Sequence, residues 1–407
     1  MHCSNTLIRA AMTDNALRRV DALIQIGLAL ARSASSGRVL LARIAVGIDL
    51  DWLPRPWGDE IAAELAAARE SAGEPLSAKQ IERALRDAWG TRPTNILNDL
   101  DLDPVAVTPT SQVHRGVLDG APVAVKVLRP GLARIVRRDL ALLDALVVPL
   151  GAAFAALDAR GVLQEFRERV LDELDLEQEA SAQRRFHRAL RNHPWLMVPA
   201  PVMALAREGV LVSEWVDGIP LWRASDPDQA ADRLVQFALG GAAAGIVHAD
   251  PVPDDVLILP DGRLAMLDFG AWSEVDPNRV ALTVSALDAF LAQDVEAFAG
   301  TLEQLGWLPR GSGATAHSLL SDWLGELAGP GQVRLDGDAV LAARDRLLDR
   351  PEAIVELILA GSLPPQDLWL ARGVGQLFAT IARVGASGDW RALARTALRD
   401  GWNVPAR

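Results

Sequence analysis

Three residue types are rare or absent in this 407-residue sequence, which has no tyrosine, one cysteine at Cys3, and lysine only at Lys79 and Lys126. A single cysteine excludes an internal disulfide and a cysteine-rich metal site. Of the 41 basic residues, 39 are arginine. Because lysine is so rare here, each lysine is a candidate for a role that arginine cannot fill. The lysine ammonium is a compact charge suited to phosphate, and arginine is not equivalent to it at a tight site.

The sequence also lacks an apolar run long enough to span a bilayer. The longest runs, 22–31 and 39–48, are interrupted or bounded by arginines, and neither reaches the roughly 20 residues that a spanning helix needs. The first residues show no signal-peptide pattern. A net charge of −12 argues against broad attraction to nucleic acid or anionic lipid. These features predict a cytoplasmic globular protein that does not bind nucleic acid.

The pattern of apolar residues changes along the chain. Residues 14–90 have apolar residues at helical spacing, which predicts a helical bundle packed on the next domain or, alternatively, a membrane-surface helix. Strand-like segments follow at 111–118 and 122–128. They flank Asp119-Gly120, a pair typical of a tight β-hairpin turn.

The rest of the chain is predicted to be mainly helical. Residues 131–190 and 277–403 have helical patterns, a helix of small residues covers 228–247, and 209–216 is a buried strand. A β-rich lobe with embedded helices, one linking strand and a helical second lobe make a bilobal α+β arrangement. The predicted regions are a helical extension (1–98), an amino-terminal lobe with the linking strand (99–218) and a helical carboxyl-terminal lobe (219–407).

The most informative segment runs from His248-Ala-Asp250 to Asp268-Phe-Gly270. Its two aspartates are 18 positions apart, and a predicted short hairpin separates them. In kinase-like phosphotransferases this order brings an acceptor-orienting aspartate and a metal-binding aspartate to one phosphate. Asp250 is therefore a predicted catalytic residue, and Asp268 is a predicted metal ligand.

Lys126 lies in a Val-Ala-Val-Lys strand pattern that has two interpretations. It can be an ordinary strand with an outward-facing lysine. It can also be the strand whose lysine binds the nucleotide phosphates and pairs with a glutamate from a helix. Glu179, in the 131–190 helical region, is the predicted partner, although an acidic helix face is often simply solvated.

Several segments in order resemble the UbiB/AarF (ADCK-type) atypical kinases over about residues 95–300. The resemblance rests on Gln112-Val-His-Arg-Gly-Val-Leu, Val123-Ala-Val-Lys-Val-Leu-Arg-Pro-Gly131, Glu173-Leu-Asp175 with Glu179-Ala, Ser213-Glu-Trp-Val-Asp-Gly218, and His248-Ala-Asp-Pro-x-Pro with Leu-Asp-Phe-Gly270. It implies a protein-kinase-like fold, ATP and Mg²⁺ as ligands, and a setting in isoprenoid-quinone or lipid metabolism near membranes. Implied partners are enzymes of those pathways and a membrane surface.

The resemblance also implies roles for individual residues. Lys126 and Glu179 would form an ion pair at the nucleotide, Asp250 would be the catalytic-loop aspartate, and Asp268 would bind the metal. Glu214, Trp215 and Val216 would form the hinge beside the adenine, and Ser213 would lie near the gatekeeper position.

Three elements of the family pattern are changed. Asp255 stands where the catalytic loop normally has asparagine; a carboxylate can still bind Mg²⁺ but adds negative charge. In the altered nucleotide loop, residues 106–111, Pro109 removes a backbone N–H that could have met phosphate. The Lys-x-Gly-Gln signature, whose counterpart would lie near 41–54, is missing, so Glu173 lacks its expected partner.

Three functions are compatible with these residues. The first is an ATP- and Mg²⁺-dependent UbiB-like kinase or ATPase. The second is a pseudokinase that binds a nucleotide or a partner without turnover, which the three changes favour. The third is a small-molecule phosphotransferase of the aminoglycoside-kinase type, which the segments at 112–115 and 173–175 disfavour.

Overall fold

The computed structural model describes residues 74–403 and a few helical residues before them, at 25–26, 28–29, 59–61 and 63–64. Most of the helical extension predicted for residues 14–90, and all of the 41–54 region, therefore lie outside the described residues. The described part of that extension includes helix α1, Ala78–Trp89, at a position where apolar residues recur at helical spacing.

A five-stranded antiparallel sheet forms the described core of the amino-terminal lobe, with strand order β1-β3-β4-β6 and β2 paired to β3. Its strands are β1 (Asp99–Leu100), β2 (Ala106–Val107), β3 (Ser111–Leu118), β4 (Ala121–Leu128) and β6 (Val210–Glu214). The predicted hairpin joins β3 to β4. Asp119 has φ 50° and Gly120 has φ 82°, which is the left-handed conformation that the preferred two-residue turn requires at both positions.

Between β4 and β6, the described chain forms four helices. They are α2 (Leu132–Leu140), α3 (Val147–Ala153), α4 (Ala159–Asp172) and α5 (Leu176–Leu190). The side chain of Asp175 caps the start of α5 by accepting backbone N–H groups of its first turn. Residues three or four apart share one side of a helix, and the buried side of α5 includes Glu179, Gln183, Phe186 and Leu190. One helix therefore presents a carboxylate and an aromatic ring in the same direction.

The carboxyl-terminal lobe is built around helix α6, Pro227–Ala243. Leu234 and Phe237 of α6 lie fully buried in a large hydrophobic cluster. The helix ends before residue 247, where the sequence predicts its end, because Gly245 adopts a left-handed φ of 75°. The chain then enters strand β8 (Ile246–His248), which pairs with β11 (Trp272–Glu274).

A second sheet of short strands holds the hairpin predicted within the 248–270 segment. In the order β5-β10-β9-β7, its strands are β5 (Leu196–Met197), β10 (Leu264–Met266), β9 (Val256–Ile258) and β7 (Ile219–Pro220). Strands β9 and β10 are antiparallel, with Val256 opposite Met266. The hairpin therefore returns the chain from the His-Ala-Asp loop to the Asp-Phe-Gly turn.

The remaining chain is mostly helical, as predicted for 277–403. Its helices are α7 (Pro277–Leu291), α8 (Val295–Leu305), α9 (Gly313–Leu324), α10 (Gly337–Leu348), α11 (Pro351–Ala360), α12 (Leu368–Val384) and α13 (Trp390–Asp400). The prediction missed two paired strands, β12 (Val333–Leu335) and β13 (Ala386–Gly388). Strands of three residues are too short for an alternating pattern to reveal them.

The two lobes and their mixture of helices and sheets agree with the predicted bilobal α+β class. Among the residues that the structure describes, no helix combines the length and the apolar character needed to cross a membrane. The boundaries proposed at residues 98 and 218 stay a prediction.

His114, which is buried, and His193, which is partly buried, are neutral imidazoles with structural hydrogen bonds. The His114 Nδ1 atom lies 3.0 Å from the carbonyl oxygen of Asp101 and donates to it. The His193 Nδ1 atom instead accepts backbone N–H groups from Trp195 and Leu196 at 3.2 and 3.0 Å. Burial lowers the pKa of both imidazoles below their ordinary value of 6.5.

We predict that these histidines make the protein less stable as the pH falls. In the unfolded chain they bind protons as the pH drops through 6.5, whereas in the folded chain their lowered pKa values delay protonation, so acid favours unfolding. Urea unfolding should give a smaller free energy of unfolding at pH 5.5 than at pH 7.5. The double variant His114→Gln/His193→Gln should show a shallower pH dependence over this interval; an unchanged slope would contradict the assignment.

Candidate functional site

Lys126 lies at the centre of the candidate site, between two carboxylates. Its Nζ atom lies 2.7 and 2.8 Å from the two carboxylate oxygens of Glu179 and 3.2 Å from Asp268 Oδ2. Strand β4 directs it there, because alternate residues of a strand face opposite sides. Val123, Val125 and Val127 are buried in the core beneath the sheet, so Lys126 faces the other side. The structure thus joins three residues that are distant in sequence.

Glu179 is only 2% exposed, and its charge is stabilised from two directions. Besides Lys126, the backbone N–H of Phe269 lies 3.4 Å from Glu179 Oε1 and donates to it. Asp268 folds back on its own turn, where Oδ1 accepts the Gly270 N–H at 2.9 Å. Helix α5 therefore connects the lysine of the sheet directly to the Asp-Phe-Gly turn of the other lobe.

His248 ties the His-Ala-Asp loop, the predicted catalytic loop, to the same turn. Its Nδ1 atom accepts the backbone N–H of Asp250 at 3.3 Å, so Nε2 carries the proton and donates to the Asp268 carbonyl oxygen at 2.6 Å. The Phe269 ring packs edge-on against His248 with centroids 5.5 Å apart, and Phe186 of α5 lies 5.1 Å from Phe269. The motif suggested that His248 matters, but only the folded chain shows that it holds Asp268.

Asp250 is 5% exposed and forms an ion pair that the motifs do not predict. Its Oδ2 atom lies 3.0 Å from a terminal guanidinium nitrogen of Arg372. Arg372 belongs to α12, more than a hundred positions farther along the chain. No local sequence pattern distinguishes it from the many other arginines, so this contact could be found only in the structure.

Asp255 ends a single 3₁₀ turn, Pro253–Asp255, just before β9. Its carbonyl oxygen accepts the N–H of Leu267 at 2.9 Å, which places Asp255 across the hairpin from the residue next to Asp268. Among the described residues, no three His, Cys, Asp or Glu side chains form a group that could hold a metal ion. Asp255 and Asp268 could therefore hold Mg²⁺ only if phosphate oxygens or water complete its ligands.

The predicted gatekeeper Ser213 and hinge residue Glu214 lie at the end of strand β6, next to the lysine strand, and the rest of the hinge follows that strand. Ser213 lies opposite Ala124 and Glu214 opposite Val123, so the hinge begins close to Lys126 in the sheet register. The Trp215 N–H donates to the carbonyl oxygen of Pro122 at 3.2 Å. Ser213 is buried, Glu214 is exposed, and Trp215 and Val216 are partly buried. The predicted hinge thus lies beside the start of β4, three residues along that strand from Lys126.

The predicted nucleotide loop, 106–111, uses its backbone N–H groups internally. The Oγ1 atom of Thr108 accepts N–H groups from Thr110 and Ser111 at 3.3 and 2.9 Å. The Thr108 N–H in turn donates to the Ser111 carbonyl oxygen at 2.8 Å. Since Pro109 has no N–H, the amides from 108 to 111 are either engaged or absent. In this conformation the loop cannot offer a row of amides to a phosphate.

Arg129 and Glu173 lie beside this site and contact its loops. The Arg129 guanidinium donates to the carbonyl oxygens of Thr108 and Glu74 at 3.3 and 3.1 Å, which holds the nucleotide loop against the start of the described chain. The Glu173 backbone lies beside Gly270, where an added Cβ would come within 3.8 Å of the Glu173 Cα. Residues 41–54, where the family pattern places the partner of Glu173, lie outside the described residues.

Comparisons with known proteins agree with this architecture. A family model for the ABC1 atypical kinase-like domain matches residues 69–301. Activity of BC1 Complex Kinase 1 from the chloroplast of Arabidopsis thaliana is 30% identical over 232 residues, which cover 53% of this chain and 34% of that protein. The probable protein kinase UbiB of Marinobacter nauticus is 26% identical over 251 residues, covering 58% of this chain and 46% of that protein. The chain thus matches less than two thirds of each relative's length.

A solved structure also matches the fold. The complex of Rv3197 with erythromycin from Mycobacterium tuberculosis aligns with a TM-score of 0.67 and 22% identity, covering 98% of this chain and 100% of that one. At this identity the likeness concerns the fold, which is bilobal, α+β and kinase-like. Because the family model covers more than half of the chain, the chain belongs to the ABC1 atypical kinase-like family.

Proposed function

We propose that this protein binds ATP together with Mg²⁺ and acts as a UbiB-like atypical kinase or ATPase. The observation that carries the proposal is the contact of one lysine with both Glu179 and Asp268, at 2.7 to 3.2 Å. That arrangement holds the Lys126 ammonium, which would bind phosphate, beside the Asp268 carboxylate, which would bind the metal. Membership of an atypical kinase family supports ATP- and Mg²⁺-dependent activity in general.

Each residue of the cluster has a distinct role in this proposal. Glu179 keeps the Lys126 ammonium in place through two short contacts, while the longer contact to Asp268 can be exchanged for phosphate oxygen. Asp268 and Asp255 supply hard carboxylate oxygens, which are the ligands that Mg²⁺ prefers. When bound, Mg²⁺ would neutralise charge on these carboxylates and on the phosphates. Asp250 would orient the acceptor hydroxyl or water by accepting its hydrogen bond.

A pseudokinase is the second candidate, and two observations support it. The amides of the 108–111 loop are engaged internally or absent, so the phosphates would depend mainly on Lys126 and the metal. Asp255 adds a negative charge where the family pattern has a neutral amide, and like charges raise the cost of bringing phosphate to the site. A pseudokinase would bind MgATP without turnover.

The setting that we propose is isoprenoid-quinone or lipid metabolism, with pathway enzymes as partners and peripheral contact with a membrane. Support comes from the UbiB relatives and the family resemblance. Sedimentation of the protein with lipid vesicles tests the membrane part. Recovery of the protein only in the supernatant would argue against it.

MgATP should stabilise the protein through Lys126 and Asp268. At saturating MgATP we expect the Tm to rise by about 3 °C, since a ligand that binds only the folded state shifts the unfolding equilibrium. Lys126→Met and Asp268→Asn should each abolish this rise. Lys79→Met is the matched control, because Lys79 is the only other lysine and lies exposed on α1. No rise in the unmodified protein at millimolar MgATP would disprove nucleotide binding.

Replacing Asp255 with asparagine should increase ATP turnover. The change removes one negative charge beside Asp268, and we expect a gain of about tenfold, equivalent to about 1.4 kcal/mol of barrier. ATPase assays with and without lipid vesicles measure it. Asp254→Asn is the control, because Asp254 is an exposed neighbour in the same turn. If the unmodified protein and Asp255→Asn both bind MgATP but neither hydrolyses it, the pseudokinase candidate is favoured.

A further inference from the structure

Helix α12 lies directly against the catalytic loop. Thr380 Oγ1 donates to the Pro251 carbonyl oxygen at 2.7 Å. At Gly373 an added Cβ would lie 2.7 Å from the carbonyl oxygen of His248, so only glycine permits this approach. Arg372, next to that glycine, reaches Asp250. The helix therefore contacts the loop from His248 to Pro251, although it lies beyond the 69–301 region that the family model covers.

Arg372 is held in one orientation by two contacts. Its guanidinium carbon lies 5.0 Å from the centre of the Trp369 ring, and Trp369 itself is buried. Its terminal nitrogen lies 3.0 Å from Asp250 Oδ2, with side chains 18% and 7% exposed. A planar guanidinium stacked on a ring and paired with a carboxylate restricts the rotation of both side chains.

The pair also affects the charge of the site. Asp250 and Asp268 share one loop-and-turn unit through His248, and Asp255 lies on the hairpin between them. Lys126 contacts Glu179 and Asp268, while Arg372 contacts Asp250. Without Arg372, a nearly buried carboxylate would lose its counter-ion, and an uncompensated buried charge destabilises the folded chain.

We propose that Arg372 is the positioning residue and counter-ion of Asp250, supplied by the carboxyl-terminal helix α12. The effect on catalysis rests on the proposed ATP-dependent function. The counter-ion role does not, because it concerns the charge balance of the folded chain. Arg372 pairs with Asp250, whereas Lys126 pairs with Glu179 and Asp268, so removal of Arg372 should affect the acceptor side more than the nucleotide side.

The test compares Arg372→Gln with Arg279→Gln in the full-length chain. Arg279 Nε donates to Asp367 Oδ1 at 2.8 Å, with side chains 21% and 5% exposed. Asp367 immediately precedes α12, so the control loosens the same helix and breaks an equally buried pair without touching Asp250. If Arg372 acts only by anchoring the helix, the two variants should behave alike.

The activity assay should separate kcat from KM. We expect Arg372→Gln to lower kcat for ATP turnover by about tenfold to a hundredfold, a range typical of a misplaced catalytic group, with KM for ATP changed less than about twofold. Arg372→Lys should recover part of kcat because it restores the charge. In an Asp250→Asn background, Arg372→Gln should cause no further loss, since both changes act on one unit.

A second readout needs no turnover. Mg²⁺ alone, titrated into each protein during thermal unfolding, should raise the Tm of Arg372→Gln more than that of the unmodified protein or Arg279→Gln, because the cation replaces the missing counter-ion. Equal Mg²⁺ responses in the two variants, or a kcat for Arg372→Gln within twofold of the unmodified protein, would overturn the inference. If the unmodified protein binds MgATP without turnover, the kinase proposal fails while the Mg²⁺ response still decides the role of Arg372.

Discussion

The burial of the Glu179 carboxylate is the constraint on which the site depends. A carboxylate removed from water costs several kcal/mol unless a cation and hydrogen bonds compensate it. Lys126 from β4 and the Phe269 N–H supply that compensation. The carboxylate is therefore compensated only when strand β4, helix α5 and the Asp-Phe-Gly turn meet in one arrangement. If any one of them were misplaced, the buried Glu179 carboxylate would lose part of this compensation.

The same helix extends this constraint into the carboxyl-terminal lobe. Phe186, two turns after Glu179 on α5, packs against Phe269, His248 and Phe237. His248 in turn donates to the Asp268 carbonyl oxygen. Aromatic packing and one neutral imidazole thus hold Asp268 relative to the lysine of the other lobe. The contact between the lobes therefore has an apolar part, formed by the aromatic rings, and an ionic part, formed by Lys126 with Glu179 and Asp268.

Two of the changed family elements and helix α12 alter the charge and the hydrogen-bond donors of the site. The 108–111 loop satisfies its own amides, Asp255 adds charge across the hairpin from Leu267, and α12 brings Arg372 to Asp250. In the proposed function, the first two would reduce the attraction of the site for phosphate, whereas Arg372 would compensate part of the acidic charge. The positive charge that Asp250 contacts thus comes from outside the matched kinase-like domain. Whether this balance permits turnover is the question that separates the two proposed functions.

The sequence by itself determined the features that depend on patterns of neighbouring residues. Alternation along 111–128 with an Asp-Gly turn predicted the hairpin that presents Lys126, and the spacing of Asp250 and Asp268 predicted the second hairpin. Even Glu179 was identified from the family pattern and its place on a helix. The three-residue strands β12 and β13 were not predicted, because they are too short to show an alternating pattern. The end of α6 was predicted at residue 247, whereas the left-handed conformation of Gly245 ends the helix earlier. Only the tertiary structure decided the Arg372–Asp250 pair, since a contact between residues so far apart depends on how α12 packs.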